Sequence, residues 1–258
     1  MSGLPRIVDA ALAALALGAA APAICGAAVA IKLTSPGPVF FRQDRVGRGG
    51  RTFRFVKLRT MRSGAGGPGV SSGGDGRITP VGSVLRKTKL DELPELWNVV
   101  VGDMSLVGPR PELPRYVDAD EPLWIRVLDT RPGLTDPVTL RLRNEEDLLA
   151  SVDGDREAFY RCYLLRWKLR GYARYLDKRS WSSDLGVLAR TALAVVLPQA
   201  PNISFSVPTI GSLVVPASLA AAPPLEPMQT KADINLLNST GAGGERPQPP
   251  YPKIALQA

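Results

Sequence analysis

The chain has 258 residues, with 32 Lys and Arg against 24 Asp and Glu, which gives a formal charge of +8 and a pI near 9.8. A chain of this length is expected to form one principal domain, with room for a tail. It contains no histidine, which excludes His-based catalytic triads and most zinc sites. The basic balance fits anionic lipid, nucleic acid or phosphorylated substrates and does not choose among them.

The first stretch of the chain, residues 7–31, is almost wholly apolar, and Asp9 is its only charge. As a helix it would reach about 37 Å, enough to cross a bilayer core of about 30 Å. A signal peptide fits poorly, because only Arg6 precedes a run that is long for one. A straight spanning helix and a re-entrant helix kinked at Pro22 are equally good interpretations. The basic residues at both flanks favour two cytoplasmic ends.

Two short strands are predicted next, at residues 39–41 and 53–56, with a glycine-rich hairpin loop between them. Eight basic residues fall in this region, namely Arg42, Arg45, Arg48, Arg51, Arg54, Lys57, Arg59 and Arg62. Such a run is most often a solvated or lipid-facing surface. The glycine- and serine-rich residues 64–76 are predicted to form a mobile loop.

The most informative stretch is KLDELPELWN at residues 89–98, which leads on to GDMSLVGPRP at residues 102–111. Asp91 is predicted to cap a helix whose first turn contains Pro94. Apolar residues at i, i+3, i+4 and i+7 are predicted to form its buried face, namely Leu93, Leu96, Trp97 and Val100. Asp91 and Glu92 would then lie at the positive end of a helix, which also attracts phosphate.

Basic residues surround this pair of acids: Arg86 and Lys89 lie upstream and Arg110 downstream. An Asp-Glu pair alone is most often a helix cap and a first-turn acid. Acids set among so many bases instead indicate a site for a metal and an anion. Arg110 lies between Pro109 and Pro111, so its backbone is stiff and its guanidinium can be aimed at a phosphate bidentately.

Four further helices are predicted, at residues 78–90, 114–129, 156–176 and 183–197. In the second of them Tyr116, Trp124 and Val127 should be partly buried. The third is basic and aromatic, which suits stacking on nucleic-acid bases or an interfacial helix with an aromatic belt. The apolar N-terminal segment favours the interfacial interpretation. Pro, Ala, Gly and Ser dominate residues 198–258, which we expect to be largely disordered.

Two long motifs carry a resemblance to a known family. SPGPVFFRQDRVGRGGRTFRFVKLRTM at residues 35–61 and DELPELWNVVVGDMSLVGPRP at residues 91–111 resemble the bacterial sugar transferases that are monotopic phosphoglycosyl transferases. The resemblance is nearly ungapped over residues 31–133. It implies an enzyme that transfers a hexose 1-phosphate from a UDP-sugar to undecaprenyl phosphate and releases UMP. We therefore expect an α+β fold with a re-entrant N-terminal membrane helix, a small β-hairpin or sheet, and surrounding and interfacial helices.

The resemblance implies roles for single residues. Asp91 and Glu92 are the predicted catalytic residues. Asp91 would be the nucleophile that forms a covalent phosphosugar intermediate, and its cationic neighbours should keep it ionised. Glu92 would be the metal ligand for Mg²⁺, which bridges the diphosphate. The predicted substrate-binding residues are Lys57, Arg59, Arg86, Pro109, Arg110, Pro111, Arg131 and Arg143.

Two positions depart from the pattern of that family. The Ser-Pro expected at the helix break is Ala21-Pro22 in this chain. After the turn at residues 131–135, which matches the family's R-P-G-[IL]-T, the usual Gly-Trp is replaced by Asp136-Pro137. The second departure bears on which sugar is accepted and leaves the implied chemistry unchanged.

Together these observations predict a re-entrant membrane helix at residues 1–32, a cytosolic catalytic domain at residues 33–197 and a tail at residues 198–258. The expected partners are a UDP-sugar, polyprenyl phosphate and membrane lipid, with no nucleic acid; polysaccharide-assembly proteins are further candidates. The expected location is the cytoplasmic face of a bacterial inner membrane, where lipid-linked glycan or exopolysaccharide synthesis begins. The rival hypothesis is a membrane-tethered basic binding or scaffold protein without turnover. Ligand binding by such a protein would weaken steeply with salt and need no Mg²⁺.

Overall fold

A computed structural model describes residues 3–64, 74–152 and 154–196. These residues form the predicted α+β fold, in which helices surround two small two-stranded sheets. Helices α1 to α9 span Arg6–Thr34, Pro80–Thr88, Glu95–Val101, Pro122–Leu128, Pro137–Arg141, Glu145–Ala150, Arg156–Phe159, Leu165–Asp177 and Trp181–Val196, and strands β1 to β4 span Phe40–Val46, Thr52–Leu58, Ser105–Val107 and Gly133–Thr135. The predicted tail and most of the predicted loop at residues 64–76 lie outside the described residues.

Helix α1 covers the predicted membrane segment and continues through Pro22 without ending there. Alanine and leucine, both strong helix formers, make up most of it. Within the described part of the chain, α1 is the one helix that is long and apolar enough to cross a membrane. Large apolar side chains on its outer surface are exposed, among them Ile7, Leu15 and Leu33.

Both ends of α1 contact the rest of the protein. Near its start, the buried Asp9 accepts a hydrogen bond of 3.2 Å from the backbone N–H of Leu106 in β3. Near its end, Ile31 packs in one cluster with Leu58 and Leu85. A straight helix across the bilayer would carry one end about 30 Å away from a core on the other side. The contacts therefore support the re-entrant interpretation, which stays a prediction.

Strands β1 and β2 form the predicted hairpin, antiparallel and longer than expected, with Phe41 opposite Lys57. Their connection includes two left-handed residues, Gly49 with φ 66° and Gly50 with φ 75°. Glycine adopts this conformation without the steric cost that a Cβ imposes. The tight connection lets β2 run back along β1 and places Lys57 near the end of the hairpin.

Helix α2 begins where predicted, because Thr79 caps it by accepting a hydrogen bond of 2.9 Å from the N–H three residues on. Lys89 is left-handed, with φ 58°, and ends the helix. The next residues, Leu90–Glu92, form a 3₁₀ turn. The prediction that Asp91 caps the following helix is wrong, because α3 begins only at Glu95.

The buried face of α3 also differs from the predicted one. Leu96 and Val99 are buried, whereas Trp97 is 54% exposed. Asn98 is buried as well, and its side-chain amide forms hydrogen bonds of 3.2 and 2.8 Å with the backbone of β2. The prediction failed because it carried one helical period through an irregular turn that precedes Glu95.

Strands β3 and β4 are parallel, with Ser105 opposite Gly133. The two backbones approach so closely that a Cβ on Gly133 would lie 2.1 Å from the backbone nitrogen of Gly108. Only glycine allows that approach. The pairing brings the segment that carries Arg110 beside the turn at residues 131–135.

The single helix predicted at residues 114–129 is broken. A 3₁₀ turn occupies Pro114–Tyr116, and α4 begins only at Pro122. Proline suits the first position of a helix because its missing N–H has no intrahelical partner there. Tyr116, Trp124 and Val127 are all buried, which is deeper than predicted.

The basic aromatic helix is present as α7, a π-helical segment at Tyr160–Leu164, and α8. Phe159, Tyr160 and Tyr172 are buried in one cluster with Trp124. The predicted interfacial position is therefore wrong for these three rings, which fill the core instead. Large rings contribute much of a core's buried area, and this accounts for their placement.

Candidate active site

Four charged side chains meet in the interior. Lys57 Nζ lies 3.0 Å from Glu92 Oε1 and 3.3 Å from Glu95 Oε1. Arg110 Nη2 lies 2.6 Å from Glu92 Oε1 and 3.3 Å from Glu95 Oε1. Each cation thus contacts both carboxylates, and each carboxylate contacts both cations. We call this arrangement of Lys57, Glu92, Glu95 and Arg110 the charge ring.

Separate parts of the chain supply the charge ring. Lys57 comes from β2, Glu92 from the 3₁₀ turn, Glu95 from the start of α3, and Arg110 from the segment after β3. The buried ring of Phe55 lies beneath both cations, 5.3 Å from Lys57 Nζ and 5.9 Å from Arg110 Cζ. These distances suit cation–π attraction. The structure therefore brings together three of the sequence-predicted site residues, namely Lys57, Glu92 and Arg110.

Asp91 takes no part in these ion pairs. Its side chain is 6% exposed, and within the described residues its Oδ1 has no hydrogen-bond partner. Burial raises the pKa of Asp91, although Lys57 opposes the shift, and Glu92 adds to it. We predicted that cationic neighbours would favour the ionised form. Loss of hydration outweighs their effect because the carboxylate is so deeply buried.

The two acids of the charge ring differ in protonation. Burial opposes ionisation of Glu92, but Arg110 and Lys57 hold the pKa of its carboxyl well below the usual range. For Glu95 burial dominates and raises the pKa to about 7. The pKa of Arg110 is raised by Glu92 and Glu95 despite its burial. Glu92 is thus an anion at neutral pH, whereas Glu95 gains or loses a proton close to neutrality.

The oxygens of Asp91 and Glu92 suit a hard cation such as Mg²⁺. The unpartnered Oδ1 of Asp91 is a buried oxygen with no other group to satisfy it. No group of three or more His, Cys, Asp or Glu side chains that could hold a metal occurs in the part of the chain that the structure describes. Because Mg²⁺ commonly uses one or two carboxylates together with substrate phosphates, these two acids fit an ion that binds with a diphosphate.

A cavity of about 340 Å³ adjoins the charge ring. Its lining includes Lys57, Glu92 and Arg110, and also Lys89 and Arg143. The volume is in the range of sites for small molecules. The full lining contains six cationic side chains and four acidic ones, the latter being Glu92, Glu112, Glu145 and Glu146. This excess of positive charge favours a ligand with several negative charges, such as a diphosphate.

The other predicted residues near Arg110 are divided between the cavity and its surroundings. Pro111 and Arg143 line the cavity, and the half-buried Arg143 has no ion pair among the described residues. Pro109 is not among the lining residues, and its carbonyl accepts a hydrogen bond of 2.8 Å from the N–H of Gly133. Arg131 lies two residues before that glycine and is also outside the lining. Pro109 thus joins this segment to β4.

Arg86 and Arg59 are committed to other partners. Arg86 donates hydrogen bonds to Thr60 Oγ1 at 2.9 Å and to Glu146 Oε1 at 2.6 Å. Arg59 is buried and donates to the carbonyl of Ser35 at 2.9 Å, so it holds the segment that leaves α1. The structure does not bring Arg59 into the charge ring. Its role in substrate binding stays a prediction that these contacts do not support.

Sequence reasoning missed Glu95 and a second buried network on the cavity wall. Glu112 accepts hydrogen bonds from the Tyr160 hydroxyl at 2.6 Å and from Lys168 Nζ at 2.8 Å, and lies 3.9 Å from Arg45 Nη1. The partners are 48 and 56 residues away in the chain, so no local pattern announces them. The sequence signal available for Glu95 was its place in the first turn of a predicted helix, directly before Leu96 on the predicted buried face.

Comparison with known proteins places this site in a family. The sequence pattern of the family described as bacterial sugar transferase matches residues 2–198. The chain is 41% identical over 191 residues to the UDP-glucose:undecaprenyl-phosphate glucose-1-phosphate transferase of Caulobacter vibrioides. The aligned region covers 72% of this chain and 67% of that protein. It is 38% identical over 173 residues to the protein of the same name from Escherichia coli K12. Here the aligned region covers 64% of this chain and 37% of that protein.

Another relative is the exopolysaccharide production protein ExoY of Sinorhizobium fredii, 35% identical over 185 residues, which make up 64% of this chain and 78% of that protein. The chain spans only about a third of some other relatives, such as 32% of an N-acetylgalactosaminephosphotransferase from Aeromonas hydrophila. The family match contains the charge ring, Asp91 and the residues that line the cavity. This chain therefore belongs to the bacterial sugar transferase family.

Proposed function

We propose that the protein transfers a sugar 1-phosphate from a UDP-sugar to undecaprenyl phosphate or another polyprenyl phosphate, releases UMP, and so initiates a lipid-linked glycan or exopolysaccharide. The observation that carries the proposal is the buried Asp91, with an unpartnered oxygen, directly before Glu92 in the chain. Glu92 lines the cavity, which Asp91 itself does not, and pairs there with Lys57 and Arg110. Relatives named as undecaprenyl-phosphate glucose-1-phosphate transferases support the reaction class. Because the relatives' names differ in the sugar, the proposal covers the class of donor and not one sugar.

The first half of the reaction forms a covalent intermediate. A carboxylate oxygen of Asp91 attacks the sugar-linked phosphorus of the UDP-sugar. The bond from that phosphorus to UMP breaks, and UMP leaves with the electron pair, so the sugar phosphate becomes bonded to Asp91 as an acyl phosphate. Lys57 and Arg110 stabilise negative charge on the phosphoryl oxygens, which is the main task of a protein in phosphoryl transfer.

The second half regenerates the carboxylate. A phosphate oxygen of the polyprenyl phosphate attacks the same phosphorus, the bond to Asp91 breaks, and the electron pair returns to the Asp91 oxygen. Both nucleophiles, the carboxylate and the phosphate, react as anions and need no base to remove a proton. A sequence without histidine can therefore carry out both steps.

The proposed cofactor is Mg²⁺, which Glu92 and Asp91 would hold. When bound, such an ion neutralises charge that develops on the diphosphate. Glu92 pairs with Lys57 and Arg110 through Oε1, and on donor binding this oxygen would leave the two cations. The diphosphate would then take over both cations.

Helix α1 would hold the site at the cytoplasmic face of the inner membrane. The polyprenyl acceptor stays in the lipid, so Asp91 has to lie near the membrane surface. The exposed apolar surface of α1 supplies a membrane anchor. Contacts of Asp9 and Ile31 with the core keep both ends of that anchor beside the catalytic part.

The covalent intermediate provides the test of this function. Full-length protein in detergent, incubated with Mg²⁺ and a panel of UDP-sugars without acceptor, should gain the mass of one sugar phosphate with at least one donor. Asp91→Asn should gain none. The control is Asp44→Asn, which removes an exposed acid paired with Arg54 at 3.0 Å and should label like the wild type. An adduct that persists in Asp91→Asn would refute the assigned nucleophile.

A further inference from the structure

The charge ring contains one carboxylate that a ligand can reach and one that it cannot. The side chain of Glu92 is 22% exposed, and those of Lys57 and Arg110 are 20% and 19% exposed. Glu95 is 0% exposed. A ligand in the cavity can therefore displace the Glu92 carboxylate from the two cations, but it has no path to displace Glu95.

Glu92 occupies the place that a phosphate oxygen would take. Its Oε1 atom alone accepts from Lys57 Nζ at 3.0 Å and from Arg110 Nη2 at 2.6 Å. A single oxygen shared by a lysine and an arginine is the contact that both cations would make with a phosphoryl oxygen. The Glu92 carboxylate thus holds the position that a diphosphate oxygen would need in order to bind both cations.

Once Glu92 has left, Glu95 is the remaining carboxylate of the ring. Its Oε1 lies 3.3 Å from both Lys57 Nζ and Arg110 Nη2. Two partly buried cations that share one site repel each other when their counter-charge is reduced. Glu95 is fixed by its place at the start of α3, between the buried Pro94 and Leu96. It can therefore hold the two cations while Glu92 moves.

Phe55 supports the same two cations from a second side. Its ring, which is 2% exposed, contacts Lys57 Nζ at 5.3 Å and Arg110 Cζ at 5.9 Å. An aromatic face attracts a cation but supplies no charge. Phe55 therefore limits where the cations can lie, whereas the carboxylate of Glu95 is needed to offset their mutual repulsion.

We propose that Glu95 is a positioning residue, which keeps Lys57 and Arg110 side by side for a diphosphate after Glu92 has moved away from them. The inference rests on the proposed function, because it assumes that the two cations bind the diphosphate of a nucleotide donor. Glu95 itself touches neither substrate nor metal in this account. It acts only through its two cationic partners.

The test is the binding of UDP and of inorganic pyrophosphate to full-length protein by calorimetry, in EDTA and at pH 8. Glu95 is ionised under these conditions, because pH 8 lies above its pKa of about 7. Glu95→Gln keeps the shape of the side chain and removes the charge. Both probes should bind about tenfold more weakly to this variant, a factor that corresponds to 1.4 kcal/mol. The loss should be equal for UDP and pyrophosphate, because Glu95 acts on the phosphate contacts.

The sign of the change separates the proposal from its alternatives. If Glu95 merely lowered the positive charge of the site, Glu95→Gln would bind both probes more tightly. If Glu95 were only structural, the variant would melt earlier and bind unchanged. Asp184→Asn provides the matched control, since it removes the charge of a buried acid bonded to Arg179 at 2.9 Å outside the cavity. It should lower the melting temperature and leave both affinities unchanged.

A second variant covers the case in which Glu95→Gln does not fold. Glu95→Asp keeps the charge but withdraws it by one methylene from both cations, and it should also weaken both probes. Tighter or unchanged binding in whichever variant folds overturns the positioning role and leaves the proposed function intact. A wild-type protein that binds neither UDP nor pyrophosphate overturns the proposed function and the positioning role together.

Discussion

At the scale of single residues, the site depends on one carboxylate with two sets of partners. Glu92 neutralises Lys57 and Arg110 in the charge ring, and it is the proposed Mg²⁺ ligand when a donor is bound. The exchange keeps the buried charges balanced in both states, which matters because an unpaired buried charge is strongly destabilising. Substitutions at Glu92 and Arg110 therefore remove a counter-charge from the charge ring as well as a group proposed to act in turnover.

Glu92→Gln removes a hard anionic ligand while keeping the volume of the side chain. Turnover should fall by about 100-fold or more, as when a group that stabilises transition-state charge is lost. The variant should also need more Mg²⁺ than the wild type for half-maximal rate. Initial rates of UMP release across a Mg²⁺ titration provide the measurement. Full wild-type activity in excess EDTA would contradict the metal role of Glu92.

Arg110→Lys tests whether the guanidinium fork matters beyond its charge. Nη2 of Arg110 contacts Glu92 and Glu95, and Nη1 donates to the carbonyl of Leu134 at 3.4 Å. A lysine cannot make these contacts together, because it offers one compact ammonium. We expect kcat/KM to fall at least about tenfold, a loss of roughly 1.4 kcal/mol. Arg54→Lys is the control, because Arg54 is an exposed arginine paired with Asp44. Equal kinetics for Arg110→Lys and wild type would reduce Arg110 to a surface charge.

At the scale of elements, α2 positions the turn that carries Asp91 and Glu92. Its cap, Thr79, is buried, accepts from the backbone at 2.9 Å and donates to the carbonyl of Thr60 at 3.3 Å. Thr79→Ala should cost about 1 kcal/mol of stability and lower the melting temperature by about 2–4 °C. Thr88→Ala, at the exposed end of the same helix, should shift it much less. Equal shifts in thermal melts would show that the cap contributes nothing.

Local signals in the sequence predicted some elements well and others badly. The hairpin and the start of α2 were predicted because glycines and a Thr-Pro pair act within a few residues. The start of α3 was missed because the left-handed Lys89 ends α2, and a lysine gives no sign of that conformation. The network of Glu112 with Lys168 was missed because it depends on tertiary packing alone.

The topology of α1 can be tested by thiol labelling. In a background with Cys25→Ala and Cys162→Ala, Ser2→Cys supplies the one thiol of the chain. A re-entrant α1 returns residue 2 to the cytoplasm, so the thiol should resist a membrane-impermeant reagent in intact cells and react after lysis. Adding Pro22→Leu should straighten the helix, because proline costs about 3 kcal/mol in a helix interior, and should expose part of that thiol outside.

Labelling of the Ser2→Cys thiol in intact cells, with Pro22 in place, would contradict the re-entrant model. It would leave a single spanning helix as the anchor. The contacts of Asp9 and Ile31 with the core argue against that outcome. The chemistry assigned to Asp91 would be unaffected either way.

At the scale of the whole molecule, the fold joins the proposed membrane anchor to the proposed phosphate site. Helix α1 packs on α3 and β3, and α3 supplies Glu95 to the charge ring while β3 leads directly to Arg110. Elements that touch the anchor therefore also carry the site. This arrangement suits an enzyme whose donor is dissolved in the cytosol and whose acceptor is dissolved in the lipid.

The most direct test of the proposed function is UMP release by the purified full-length protein in lipid nanodiscs. With Mg²⁺ and polyprenyl phosphate, at least one donor from a panel of UDP-sugars should give many molecules of UMP per protein. Without the acceptor, UMP should stop at about one per protein, because Asp91 reacts once. A folded wild-type protein that releases no UMP with any donor, and only binds nucleotides in a steeply salt-dependent way, would contradict the account and identify a binding protein instead.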